Sequence, residues 1–227
     1  MRTKMERGKL ELAKLELGKT EMGKVDGTSL HLSRRAFGAG LVAGTGFLAF
    51  ALPVRALTVD QAKALIDKAI GEVNTTINSG HTEQQMYGDF ARIFATYADV
   101  ATIARSALGT ASKSATAAQM ATFTQAYQGY ISRKYGRRFR EFIGGKIEVT
   151  DAKPYKSYYE VISTATLQGQ PPFDLRWWVG DKSGKLLFFN IIIEGVNMLA
   201  SERTEVGSIL DKNGGDMDKL ITALNAV

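Results

Sequence analysis

The stretch "FDLRWWVGDKSGKLLFFNIIIEG" (residues 173–195) contains two runs of β-branched and aromatic residues, separated by the turn-forming segment "GDKSGK". This pattern predicts a β-hairpin. Because side chains alternate along a strand, Trp177 and Trp178 are predicted on opposite faces, one in the core or a pocket and the other needing cover or a partner. Glu194 stands before Gly195 at the end of the second run. This position indicates a turn after a strand rather than a catalytic acid in an apolar pocket.

Two further strand-like segments precede the hairpin, "KIEVTDAKP" (146–154) and "YYEVISTATL" (158–167). Four consecutive strands without helices between them predict an antiparallel sheet. Helical periodicity flanks the sheet on both sides. It runs from a capping box at Thr58 to about Gly80, over 82–108 with a break at 97–99, over 114–145, and over two segments after Met198. The fold class is therefore α+β, with a four-stranded antiparallel sheet covered by N-terminal and C-terminal helices.

The first 56 residues have the layout of a signal peptide ahead of a single domain at 57–227. Ser33, Arg34, Arg35 and Phe37 resemble a twin-arginine motif, and an uncharged, glycine-diluted stretch follows them. Val54-Arg55-Ala56 resembles a cleavage site, which places the cut after Ala56. An uncleaved membrane anchor is the alternative. Four glycines and a length at the lower limit for spanning make it the weaker one.

The composition excludes several classes of site. The chain has no cysteine, so thiol nucleophiles, disulfides and zinc-thiolate sites are ruled out, and two histidines are too few for multi-histidine metal sites. We predict no cofactor. The net charge of +6 is concentrated at the N-terminus, where residues 1–56 hold ten basic and five acidic residues. The domain at 57–227 holds 19 basic and 18 acidic residues, a balance that argues against nucleic-acid binding.

The order of several segments resembles the MlaC family, also called toluene-tolerance proteins. These segments are "YADVATIARSALG" (97–109), "ATAAQMATFTQAY" (115–127), the four strands, "IIIEGVNML" (191–199) and "DMDKLITAL" (216–224). Three positions depart from the pattern implied by the resemblance: Leu186 stands where Trp is usual, Asn190 where Asp is usual, and Asn197 where Ser is usual.

The resemblance implies an exported phospholipid carrier with no catalytic activity. Such carriers work in the periplasm between an outer-membrane lipoprotein complex and an inner-membrane ABC transporter, in the traffic that maintains outer-membrane lipid asymmetry. The acyl tails of the bound phospholipid occupy a deep apolar cavity between the sheet and the helices of such a carrier. The residues implied as its lining are Phe94, Ile103, Phe123, Tyr127, Tyr130, Ile162, Trp177, Phe188, Ile191, Ile193, Val196 and Met198.

A basic cluster on the long helix is the candidate contact with a lipid head group or a membrane surface. Its cations are Arg133, Lys134, Arg137, Arg138 and Arg140. Each cation near an anionic membrane contributes about 1 kcal/mol. A solvated helix face explains the same pattern, and a nucleic-acid site is the third interpretation.

A small cavity enzyme, a hydrolase or isomerase with an apolar substrate, is the alternative function. It needs a positioned acid–base pair. His81 lies in a predicted surface loop, and nothing in the sequence brings a chosen two of the candidate acids together. These acids are Glu83, Asp89, Asp99, Glu141, Glu160 and Glu194.

The first 21 residues leave two starts of translation open, Met1 and Met22, and a start at Met22 is the hypothesis that explains an upstream repeat. The lysines at 9, 14, 19 and 24 repeat every five residues, a period that gives neither a helix nor a strand one consistent apolar face. N-terminal sequencing of the expressed precursor checks this hypothesis, and a peptide from residues 9–19 would contradict it.

Overall fold

The computed structural model describes residues 57–227, except for the side chains of residues 138–140. The predicted signal motif at Ser33, Arg34, Arg35 and Phe37, the cleavage site at Ala56 and the alternative start at Met22 lie outside the described residues.

Two capped helices begin the domain, and the cap of the first is the one that the sequence predicts. Helix α1 spans Val59–Ile77, and its capping box joins Thr58 and Gln61, with the Gln61 amide donating to Thr58 Oγ1 at 3.2 Å. Helix α2 spans Glu83–Tyr97 and begins with a second capping box, formed by Thr82 and Gln85. Each box satisfies backbone N–H groups that have no partner inside the helix.

The break predicted at residues 97–99 separates α2 from helix α3, Val100–Leu108. Asp99 caps α3, because its carboxylate accepts the Thr102 amide at 3.0 Å. Gly109 ends the helix with a φ of 64°, a conformation that side chains disfavour. A 3₁₀ turn follows over Gly109–Lys113.

The long amphipathic segment forms one helix, α4, over Ala117–Phe139, and a 3₁₀ turn over Arg140–Phe142 follows it. Phe123, Tyr127 and Tyr130 are at most 1% exposed. At Gly136 the helix meets the ring of Tyr87, where an added Cβ would lie 2.5 Å from Cδ1. Glycine therefore allows the close approach of α2 and α4.

The sheet has five antiparallel strands in the order β1-β2-β3-β4-β5. The strands are β1 Lys146–Tyr155, β2 Tyr158–Thr166, β3 Phe173–Gly180, β4 Leu187–Ile193 and β5 Val196–Asn197. The predicted four-stranded sheet lacked β5, which has only two residues. Glu194 and Gly195 adopt φ values of 50° and 84° and form the turn between β4 and β5. Glu194 thus lies at a corner of the chain, as the sequence predicts.

One face of the sheet is buried beneath helices. Helix α1 packs on β1, β2 and β3, while α3 and helix α5, Met198–Lys212, pack on β4. Helix α4 instead packs against α2, α3 and the terminal helix α6, Met217–Asn225. Large side chains of α4 and of the inner sheet face belong to one continuous apolar core.

Asn190 and Asn197, which the resemblance marks as unusual residues at their positions, contact each other where β4, β5 and α5 meet. Asn190 is 3% exposed, and its Nδ2 donates to Asn197 Oδ1 at 3.0 Å. Asn190 Oδ1 accepts the backbone amides of Ile191 and Leu199, at 2.9 and 3.1 Å. Asn197 Oδ1 also accepts the Ala200 amide at 3.1 Å and so caps α5. The two departures therefore form one matched pair.

Asn190→Asp alone should destabilise the protein by about 1–3 kcal/mol, the usual cost of a buried polar group without a partner. The new carboxylate would place an acceptor against Asn197 Oδ1, where Asn190 has a donor. If the Asn197 amide turned to offer its Nδ2 instead, Oδ1 would no longer accept the Ala200 amide and α5 would lose its cap. The double variant Asn190→Asp, Asn197→Ser should recover most of the loss, because a serine hydroxyl both donates and accepts. Urea unfolding of the two single variants and the double variant checks this. Additive losses would contradict it.

Candidate ligand-binding interior

Most of the residues proposed to line a lipid cavity lie in the apolar interior between the helices and the sheet. Nine of the twelve belong to the core or pack against it: Phe94, Ile103, Phe123, Tyr127, Tyr130, Trp177, Phe188, Ile191 and Ile193. Val196 and Met198 are half-buried at the β5–α5 junction. Ile162 lies on the opposite face of the sheet, because its neighbour Val161 points into the core and side chains alternate.

Aromatic rings line this interior from α4 to the sheet. Phe123 stacks on Tyr127 with ring centroids 5.8 Å apart, and Tyr127 lies 6.2 Å from Tyr130. On the sheet side, Trp177 meets Phe188 edge-on at 5.3 Å. Trp177 is buried and donates its indole N–H to Ser163 Oγ at 2.9 Å, so its one polar atom is satisfied. The surface that remains is almost entirely apolar.

Five polar side chains join α4 to α5 at one side of the interior, and we call them the Lys134 cluster. Lys134 Nζ lies 2.8 Å from Glu202 Oε1 and forms a second ion pair with Glu205. Tyr135 donates to Glu202, and Tyr130 donates to Glu205. Glu202 is only 3% exposed, so this carboxylate depends on its partners.

The tyrosines around this cluster remain protonated donors. Burial raises the pKa of Tyr130 and of Tyr135 far above the usual value. Contacts with Glu202 and Glu205 raise the pKa of Tyr130 further, and Glu202 does the same for Tyr135. Burial also raises the pKa of Tyr127. None of these phenols ionises at physiological pH, so no tyrosinate is available as a base.

The structure gives two of the five candidate head-group cations intramolecular partners. Arg133 donates to the backbone carbonyls of Leu224 and Val227, at 2.8 and 2.7 Å, and so holds the C-terminal end of α6. Lys134 lies in its cluster. Arg137 is exposed, and the side chains of Arg138 and Arg140 are not among those described. The hypothesis of a membrane-facing patch therefore rests on Arg137, Arg138 and Arg140.

A cleft of about 650 Å³ lies on the outer face of the sheet, where the sequence predicted no site. Glu160, only 4% exposed, lines it between Lys153 and Arg176, whose nitrogens lie 3.5 and 3.8 Å from the carboxylate. Trp178 forms its aromatic wall. The one signal for this cleft in the sequence was the alternation of side chains along the strand, which places Trp178 and Trp177 on opposite faces of the sheet.

Trp178 belongs to an aromatic cluster on this outer face. Its ring lies 5.0 Å from Tyr158 and 6.2 Å from Tyr155, and Phe189 packs against the same group. Burial raises the pKa of Tyr158 to about 12. These contacts supply the cover that the sequence analysis required for the second tryptophan.

Several of the acids considered for catalysis have structural partners. Asp89 pairs with His81 Nδ1 at 2.8 Å, Asp99 caps α3, and Glu160 contacts two cations. Within residues 57–227 as described, no group of three or more acidic or histidine side chains could hold a metal ion. No helix in the same part of the chain is long and apolar enough to cross a membrane.

Comparison with a solved structure gives the same architecture. A phospholipid-binding protein from Ralstonia solanacearum, solved in complex with a phospholipid, matches with a TM-score of 0.63 and 18% sequence identity. The match covers 73% of this chain and 95% of that protein. At this identity the likeness establishes the fold.

The family is established by a comparison of sequence. The model of the family described as "MlaC protein" matches residues 63–226, which is most of the chain and nearly all of its folded domain. The resemblance seen in the sequence is thus confirmed, and the chain belongs to the MlaC family.

Proposed function

We propose that this protein is an exported carrier that binds one phospholipid and moves it through the periplasm. Its partners in this proposal are an outer-membrane lipoprotein complex and an inner-membrane ABC transporter, with transient membrane contact. The observation that carries the proposal is the continuous aromatic and aliphatic interior between the helices and the sheet, in a chain of the MlaC family.

The chemistry of the interior suits acyl chains. Each CH₂ moved from water into an apolar environment contributes about 0.8 kcal/mol, so two long tails supply ample affinity without any charged contact. Ser163 and Trp177 satisfy each other, and the polar Lys134 cluster lies to one side. Tails would therefore meet little that requires water.

The packing implies that lipid entry requires movement. Phe123, Tyr127 and Val161 are fully buried and pack in the same core, so tails need side chains of α4 and the sheet to separate. Contacts between apolar groups lack direction, and a lipid tail replaces them with contacts of the same kind. The cost of opening is thus largely recovered on binding. Release then requires a partner that offers the lipid a comparable apolar environment.

Purified protein should contain about one phospholipid per chain, because a lipid bound through two tails dissociates slowly into water. Organic extraction followed by mass spectrometry measures the amount against protein concentration. A folded, lipid-free protein that acquires no lipid from vesicles would rule out the carrier.

Reversing the charge of Arg137, Arg138 and Arg140 should slow lipid transfer to anionic vesicles by about tenfold or more, since each cation contributes about 1 kcal/mol near such a surface. Arg133 and Lys134 are left intact because they hold α6 and α5. The matched control reverses Lys68, Lys182 and Lys185, three exposed lysines outside the patch. Equal rates in both triple variants would show that the patch is only a solvated face.

A further inference from the structure

A second cleft, of about 480 Å³, lies where the C-terminal end of α3 and the following 3₁₀ turn meet α5. Its lining contains none of the proposed lipid-binding residues. The side that faces it from α3 and the turn includes Arg105, Ser106, Thr110, Ser112 and Lys113. Arg203 and Gly207 of α5 form the other side.

The cleft is positively charged, and no acid lines it. Within the described residues, neither Arg105, Lys113 nor Arg203 forms an ion pair with an acidic side chain. The domain as a whole is almost neutral, with 19 basic and 18 acidic residues over 57–227. Three unpaired cations around one cleft are therefore a local concentration of charge, which attracts an anion.

Arg203 is held in place for such a role. Its Nε donates to the Ser106 carbonyl at 2.7 Å, and its Cγ lies 3.7 Å from where a Cβ of Gly109 would be. The same contact neutralises part of the negative end of α3. The two Nη groups make no hydrogen bond within the described residues and are free to donate. A fixed guanidinium loses less entropy on binding an oxyanion than a mobile one.

Gly207 leaves room beside these donors. It lies inside α5, where glycine is among the poorest helix formers. Neither packing nor backbone conformation requires it, because an added Cβ would meet no heavy atom within 4 Å and its φ is not positive. Because residue 207 has no side chain, the α5 side of the cleft that contains Thr110 and Ser112 remains open.

We infer that this cleft binds a phosphate group, carried either by a membrane phospholipid head group or by free phosphate. The guanidinium and ammonium groups supply donors and positive charge, which fits a phosphate oxyanion. The Thr110 hydroxyl can add a donor, whereas the Ser112 hydroxyl already donates to the Gly109 carbonyl at 2.6 Å. The lining contains no aromatic side chain on which a nucleic-acid base could stack. The inference stands apart from the lipid carrier, since the cleft requires no ligand in the apolar interior.

The test titrates ¹⁵N-labelled protein with inorganic phosphate at constant ionic strength and follows the amide signals of Gly109 and Gly207. A parallel arm measures co-sedimentation with phosphatidylcholine vesicles that contain or lack phosphatidylglycerol. We expect saturable binding that Arg105→Gln with Lys113→Gln weakens by about tenfold or more, the usual loss for a charged hydrogen bond. Gly207→Leu should block binding with no change of net charge.

Controls separate the site from general electrostatics. Lys182→Gln with Lys185→Gln removes the same charge from the exposed β3–β4 turn and should leave binding unchanged. Thermal melts verify that each variant is folded. Binding of phosphate alone identifies free phosphate as the ligand, and binding of phosphatidylglycerol vesicles alone identifies a head group. The inference is overturned if neither ligand binds or if Gly207→Leu binds like the unmodified protein. It is also overturned if Lys182→Gln with Lys185→Gln weakens binding as much as Arg105→Gln with Lys113→Gln does. These results do not depend on whether lipid co-purifies, so the two proposals fail separately.

Discussion

The alternation of side chains along β3 divides this molecule into an apolar interior and an outer sheet face. Trp177 points inward, donates a hydrogen bond to Ser163 and packs on Phe188. Trp178 points outward into a ring cluster with Tyr158. A shift of the strand by one residue would exchange the two indoles, bury Arg176 and expose the core, so the register is strongly specified.

Polar contacts fasten the helices around that interior. Lys134 joins α4 to α5 through two glutamates, Arg133 joins α4 to the end of α6, and Arg203 joins α5 to the end of α3. Hydrogen bonds and ion pairs have direction, whereas apolar contacts do not. In a lipid carrier this distinction is useful, because tails can replace apolar contacts while the polar ones keep the helices in place. Cations that resemble a single basic patch in the sequence thus have different roles in the fold.

Local signals were sufficient for most of the secondary structure. The capping box at Thr58 and the break at residues 97–99 depend on neighbours within four residues, and both were predicted. The fifth strand was missed because two residues carry no periodicity. The Asn190–Asn197 pair was visible only as two separate departures from a family pattern. Its logic appeared once the β4–β5 turn brought the two amides together.

The sequence by itself determined the α+β class and membership of the MlaC family, since these follow from periodicity, capping and the order of segments. The tertiary structure decided which charges are free and which are buried. Lys134 and Glu202 are 68 positions apart in the chain, and Arg203 and Ser106 are 97 apart. No periodicity connects residues at such separations. Only the packing of α3, α4 and α5 shows that Lys134 is half-buried in two ion pairs while Arg105 and Lys113 remain exposed beside an open cleft.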